Sequence, residues 1–228
     1  MKTILAPIHR AGWPFISLFA VFTSIVFLFA HTFGLVCLVL TGWCIYFFRN
    51  PRRMTPLGEG LIMSPGDGII AKIEQAIPPK ELQWTKKPLT RISIFLNVFD
   101  VHVNRIPCDG LIAKIHYHPG KFFNASLDKA SEFNERNSVL IQAPSGQEVL
   151  VVQIAGLIAR RILCEVNQGQ NVKAGETFGI IRFGSRVDLY LPEGVAPQVI
   201  EGQRMIGGET IMADLTSHAP QRLGETRP

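Results

Sequence analysis

Four short segments hold most of the residues able to do chemistry: Ser64-Pro-Gly-Asp67-Gly68, Asp100-Val-His102-Val-Asn104-Arg105-Ile-Pro107, His116-Tyr-His118-Pro-Gly-Lys121-Phe122 and Phe183-Gly184-Ser185-Arg186. Between them they offer acid–base groups, an always charged anion holder in Arg105 and a serine hydroxyl. Taken singly, each has a plain structural reading. Asp67 between two glycines has the composition of a turn. His102 closes an apolar run, where a histidine is more often a hydrogen-bonded core residue than a catalyst. Asn104 and Arg105 suit a loop. His116 and His118 share one face of a regular strand, a spacing that suits a metal, yet two ligands alone do not make a site. Gly184-Ser185 is the chain's only Gly-Ser pair, and alone it reads as a turn.

The elements that must position these residues fall into two textures. Residues 1–50 contain Lys2, Arg10 and Arg49 and no acid, whereas the remainder carries 20 basic against 18 acidic residues, a balance unlike a nucleic-acid surface. Pro14–Ala30 and Phe33–Phe48 are apolar runs near the lower limit for spanning a hydrocarbon core, with a short polar break between them. Trp13, Trp43 and Tyr46 lie near their ends, and the flanking charges are basic on both sides, which places both ends of a hairpin in the cytoplasm. A single long helix, or a hairpin dipping into one leaflet, fits the same pattern. The run is too long for a cleaved signal peptide and no small-residue site follows it. Four cysteines, two of them inside the apolar runs, point to a reducing compartment rather than a disulfide framework.

After Pro51, short β-rich runs recur between glycine and proline turn signals: Ile69–Ile73, Leu111–Tyr117, Val149–Ile154, Leu157–Val166, Thr177–Arg182 and Val187–Leu191. Arg91–Val98 alternates as a half-buried strand does. Only Ser126–Arg136 has a helical pattern. Without βαβ alternation a Rossmann or α/β-barrel fold is disfavoured. The expected fold is a mainly β (β-rich α+β) domain, an antiparallel sandwich or flattened barrel over about 51–216. An N-terminal membrane-anchoring helical hairpin over 1–50 precedes it, and a disordered tail over 217–228 follows.

In this order, FFRNPRR, SPGDG, DVHVNRIP, YHPGKF, Asn134-Glu135-Arg136 and FGS resemble the phosphatidylserine decarboxylase family, in its short bacterial and archaeal type, over about Phe47–Leu215. The resemblance implies a self-made cofactor. The Gly184–Ser185 bond breaks itself, leaving a β chain (1–184), an α chain of 44 residues (185–228) and a pyruvoyl group derived from Ser185. That carbonyl condenses with the substrate amine as a Schiff base and takes up the electrons left when CO2 departs, a part played elsewhere by pyridoxal phosphate. No pyridoxal-binding lysine in an α/β setting is apparent, and neither that cofactor nor a metal is expected. Glycine leaves its carbonyl unhindered, and Ser185, a weak nucleophile, needs a base. The implied substrate is phosphatidylserine in the membrane and the product phosphatidylethanolamine, with the β/α heterodimer as the minimal assembly, a higher oligomer possible, and no nucleic-acid partner.

The chain departs from longer relatives at one point. Those carry two histidines in the segment matching DVHVNRIP, and the second is thought to drive self-cleavage; here the first is His102 and the second position is Arg105. Either His102 serves in both steps or His118 stands in. Asp67 matches the family's aspartate and is expected to orient a histidine, as in a Ser-His-Asp triad. Arg105 is free to hold a phosphate or carboxylate, and Asn104 to support it. Archaetidylserine passes the same chemical test. From other classes, a lysostaphin-like zinc peptidase lacks two ligands, since Ile106 stands where an acid is needed after His102. A membrane adaptor with a carrier-like domain has only Lys173 as a modifiable lysine.

Overall fold

The computed structural model describes residues 6–120, 134–156, 161–182, 185–217 and 219–224. Two 17-residue helices come first, α1 (Trp13–Phe29) and α2 (His31–Phe47), each about 25 Å long at 1.5 Å per residue. Ala30 alone breaks them apart, with φ −150° and ψ 88°, and the chain doubles back as an antiparallel hairpin. Two features zip it together: Gly34 lets the Phe27 ring approach to where a Cβ would stand, and Thr23 meets Thr41 in a buried 2.9 Å hydrogen bond. The Thr41 hydroxyl already donates to Cys37 O, so Thr23 is the donor. Leu18, Val21, Phe22, Leu28, Phe29 and Val39 point outward and stay exposed. One helical stretch, Arg10–Phe29, is long and apolar enough to cross a membrane.

Thirteen strands follow among the described residues: β1 (Leu61–Met63), β2 (Gly68–Ala76), β3 (Leu89–Leu96), β4 (Val103–Arg105), β5 (Gly110–His118), β6 (Arg136–Gln142), β7 (Glu148–Ala155), β8 (Ile162–Cys164), β9 (Asn171–Val172), β10 (Thr177–Ile181), β11 (Ser185–Tyr190), β12 (Arg204–Met205) and β13 (Ile211–Asp214). Eight form one antiparallel sheet in the order β12-β2-β3-β11-β7-β6-β5-β9, curled into a half-barrel. A three-stranded sheet, β4-β10-β8, and a β1-β13 ribbon complete it. The core lies between the large sheet and the two small ones: Ile92, Ile94, Val151 and Leu189 from the first meet Phe178, Ile181 and Met212 from the others. Alternation sends the other side chains of the same strands, such as Leu150, Val152 and Tyr190, to the outer face, where Leu82 and Trp84 cover them.

The expected mainly β fold with an apolar helical hairpin is therefore what the chain adopts. Two local expectations need correcting or narrowing. Arg136, read as the end of a helix, begins strand β6 instead; the rest of that stretch, to residue 133, lies outside the described residues. The run Leu157–Val166 contributes only Ile162–Cys164 as strand, with 157–160 likewise outside. The root of the hairpin is part of the β structure's packing: Phe47 and Phe48 are fully buried against Val101, Val103 and Ile180. Extended residues flanking the hairpin pair as well, through an Ile8–Arg49 bridge.

Candidate active site

Ser185 is the first residue of β11, a central strand held between Leu96 of β3 and Ala155 of β7. It shares the inner face with Val187 and Leu189, is fully buried, and its hydroxyl has no hydrogen-bond partner. A buried hydroxyl without a partner costs stability and calls for an explanation. Gly184, on the other side of the bond of interest, lies outside the described residues.

A chain of neutral amides runs beside it. Asn137 Nδ2 donates to Gln153 Oε1 at 2.9 Å, and Gln153 Nε2 donates to Asn104 Oδ1 at 2.8 Å. Gln153 is the cross-strand neighbour of Val187. The relay fixes the Asn104 amide so that its Nδ2, fully buried, is left without an acceptor. The Ser64–Gly68 turn packs in between: a Cβ on Gly66 would stand 3.4 Å from Asn104 Nδ2 and 3.6 Å from Leu96, the strand partner of Ser185. The turn is closed by Ser64 Oγ donating to Gly66 O at 2.7 Å. Gly68, at φ +157°, passes so close to Phe95 O that no side chain fits.

His102 sits in the link between β3 and β4, wholly buried, its ring 4.3 Å from that of Phe47. Its carbonyl accepts from Ile181 N at 3.3 Å, which ties it to the end of β10, from which the chain runs on to Ser185. Its Nδ1 lies 3.1 Å from Asp100 O. A carbonyl can only accept, so Nδ1 carries the proton and Nε2 the lone pair. Burial pushes the ring's pKa down to about 4; the Asp100 carbonyl and carboxylate oppose this, and the Arg49 charge adds to it. The imidazole is neutral at pH 7.

The remaining candidates are placed less as expected. Asp67 accepts from Arg53 at 2.8 and 2.7 Å and from Gly207 N at 2.8 Å; its carboxylate is engaged by an arginine and an amide rather than by a histidine. Burial raises its pKa while Arg53 and Gly207 pull it back. Arg105 is a strut: Nη1 donates to Gly175 O and Nη2 to Asn50 Oδ1 and Pro51 O, all at 2.7 Å. Burial and the Arg53 charge lower its pKa to about 10. His118 ends β5 in the row His118–Arg136–Ile154–Arg186, three strand spacings or about 14 Å from β11, so it is not brought to Ser185. Asn104 and the Asp67 turn lie beside the Ser185 strand, and His102, packed on Phe47, is tied to the same region through Ile181.

Arg53 and Gln153 were missed by sequence reasoning. Gln153 had a signal, a lone amide facing inward in the apolar run Val149–Ile154. Arg53 had none beyond its charge.

The family model of phosphatidylserine decarboxylase matches residues 40–213. A phosphatidylserine decarboxylase proenzyme of Cereibacter sphaeroides is 53% identical over 227 residues, covering 100% of this chain and 98% of the relative. Proenzymes of the same name from Ruegeria pomeroyi and Rickettsia akari are each 56% identical, over 93% and 91% of this chain and 97% and 90% of their own lengths. With the matched region running from the root of the hairpin through the last strand, this chain belongs to the phosphatidylserine decarboxylase family.

Proposed function

We propose that this chain is a self-processing, pyruvoyl-dependent carboxy-lyase that converts phosphatidylserine to phosphatidylethanolamine and CO2. The observation that carries the reading is the Ser185 hydroxyl, buried without a partner on the inner face of a central strand and next to the chain's only Gly-Ser bond. The residues present fit a pyruvoyl group at this position: residue 185 is fully buried between the apolar strand partners Leu96 and Ala155, and the spare Asn104 N–H lies against the same Gly66 turn as Leu96.

In self-processing, Ser185 Oγ attacks the Gly184 carbonyl carbon, the 184–185 C–N bond breaks, and the hydroxyl proton ends on the released amine. The resulting ester loses the proton from residue 185 Cα and expels the Gly184 carboxylate. Water then displaces the nitrogen as ammonia and leaves the pyruvoyl carbonyl. That carbonyl supplies the electron sink for decarboxylating an amine substrate. His102 is the base in the first step, because its Nε2 holds a lone pair at neutral pH, and later the group that delivers a proton to the substrate Cα. A substrate carboxylate arriving in this site opposes the Arg49 charge and favours protonation of the ring. Asp67, held by Arg53, keeps the turn at Gly66 in place, and Asn104 donates to an oxygen formed at residue 185.

The two fragments stay together as a β/α heterodimer, since the smaller one supplies β11, β12 and β13. The hairpin lies in the cell membrane with both ends cytoplasmic, a reading supported by its apolar exposed faces and basic flanks.

The deciding experiment is the intact mass of the purified protein. Two fragments are expected, split at 184/185, with the 44-residue one blocked to N-terminal sequencing; a fully active uncut chain overturns the reading. The dual role of His102 has its own gel: His102→Ala should accumulate uncut chain. If it cleaves normally and only turnover falls, about 10²–10⁴-fold, His102 acts on Cα alone.

A further inference from the structure

A phosphatidylserine headgroup is short. Its phosphorus is three bonds from the Cα that loses CO2, so whatever holds the phosphate must stand beside residue 185. Most of the arginines around that point are already engaged. Arg53 is committed to Asp67, Arg204 to Asp100, and Arg49 donates to Tyr46 O and Phe99 O. Arg105 has both terminal nitrogens on protein oxygens. Arg186 faces the other side of the sheet and pairs with Asp188.

Two arginines are left. Arg182 follows β10 and is three residues from Ser185, within about 11 Å along even a fully extended chain and so within reach of a long side chain. Its guanidinium lies 5.1 Å over the ring of Phe15, in the first turns of α1, and that ring stacks on Phe48 at 5.6 Å. Its Nε is buried without a hydrogen-bond partner. Arg161 adjoins it: Arg182 N donates to Arg161 O at 3.3 Å. Burial and the Arg161 charge together lower the Arg182 pKa. Among the described residues no carboxylate pairs with either; Glu135, the acid facing this segment, accepts instead from Ile162 N at 3.0 Å.

We propose that Arg182, assisted by Arg161, binds the phosphodiester of the substrate lipid. Two like charges held together without an acid form a site for an anion, and a guanidinium pre-set on an aromatic face can offer two parallel N–H donors to a phosphate. Phe15 and the exposed Trp13 mark the start of the apolar helix, the depth at which aromatic rings meet lipid headgroups. One side chain thus ties the anchor, the headgroup and the cleaved strand together. The assignment rests on the phosphatidylserine reading above.

The test uses the full-length processed enzyme in detergent with dihexanoyl phosphatidylserine as a monomeric substrate, turnover being normalised to cleaved chain. A second readout, calorimetric titration with dihexanoyl phosphatidylethanolamine, does not depend on turnover. Arg182→Gln should raise KM and weaken the titration Kd by about 10–100-fold while kcat changes little; Arg161→Gln should do so several-fold, and Arg182→Lys should recover part. The exposed Arg52→Gln, a control for general surface charge, should match wild type. Wild-type KM and Kd in Arg182→Gln, a fall in kcat alone, or an equal loss in Arg52→Gln overturns the proposal. If Arg182→Gln fails to process, Arg161→Gln decides by the same two constants. A wild-type enzyme that releases no CO2 from this lipid defeats the phosphatidylserine reading instead, and the titration still decides the phosphate contact.

Discussion

Successive residues of β11 point into two different chemistries. Inward, Ser185 joins a file of neutral groups, the amides of Asn137, Gln153 and Asn104, and the file ends in donors with spare capacity. Outward, one residue along, Arg186 and Asp188 form a buried ion pair at 2.9 Å, extended by Arg91 and Glu74. The outer cluster pairs its charges with one another and raises the Tyr190 pKa to about 12, by burial first and then by Asp188. The inner file has no full charge to screen a reaction and leaves hydrogen-bonding capacity unused. Neutral groups with spare donors can respond to a new oxygen, while charges already paired hold the sheet.

The sharpest way to break this contrast is Ser185→Ala, which removes the only hydroxyl able to cut the 184–185 bond. One uncut chain with no decarboxylation is expected on a denaturing gel and in a CO2-release assay. On the outer face, Asp188→Ala breaks the buried Arg186–Asp188 ion pair and should cost about 3–5 kcal/mol in urea unfolding, while the folded fraction still cleaves. Cleavage failing as completely as in Ser185→Ala would erase the distinction between the faces. Acid sharpens it further. His102, flanked by Asp100 and Arg49, has its pKa pushed down on folding, so the unfolded chain binds the extra proton. Stability is complete above about pH 6.5 and drains away as pH falls toward 4, by about 3 kcal/mol. The pH series of urea midpoints should lose that slope in His102→Gln. The smallest effect belongs to Gln153→Leu, which leaves Asn137 and Asn104 each short of a partner, a cost of about 1–3 kcal/mol, and should slow cleavage without stopping it.

What the sequence alone disclosed depended on how far apart the cooperating residues were. The hairpin was readable because apolar length and basic flanks are local properties, and β3 because Ile92, Ile94 and Leu96 alternate with residues of the other face. Strand β6 was hidden by its polar start, Arg136-Asn137-Ser138, whose burial depends on Glu81 and Gln153 from elsewhere in the chain. Motif order pointed to Ser185 and His102. Nothing local could tell that Arg53 rather than a histidine would meet Asp67, or that Arg105 would be consumed by the backbone at Asn50–Pro51 and Gly175. Those partners are set by how the linker after α2 lies across the small sheet.

The position of β11 has a consequence for the life of the molecule. Before the cut, unfolding and refolding are unimolecular, because one chain carries every strand. With the cut at 184/185 proposed above, the strand in the middle of the half-barrel would belong to a separate 44-residue peptide, and full unfolding would release two species that must find each other again. Recovery then depends on concentration, and at low concentration the loss is effectively permanent. An enzyme cut there would persist by unfolding slowly, its working lifetime set by a rate rather than by an equilibrium.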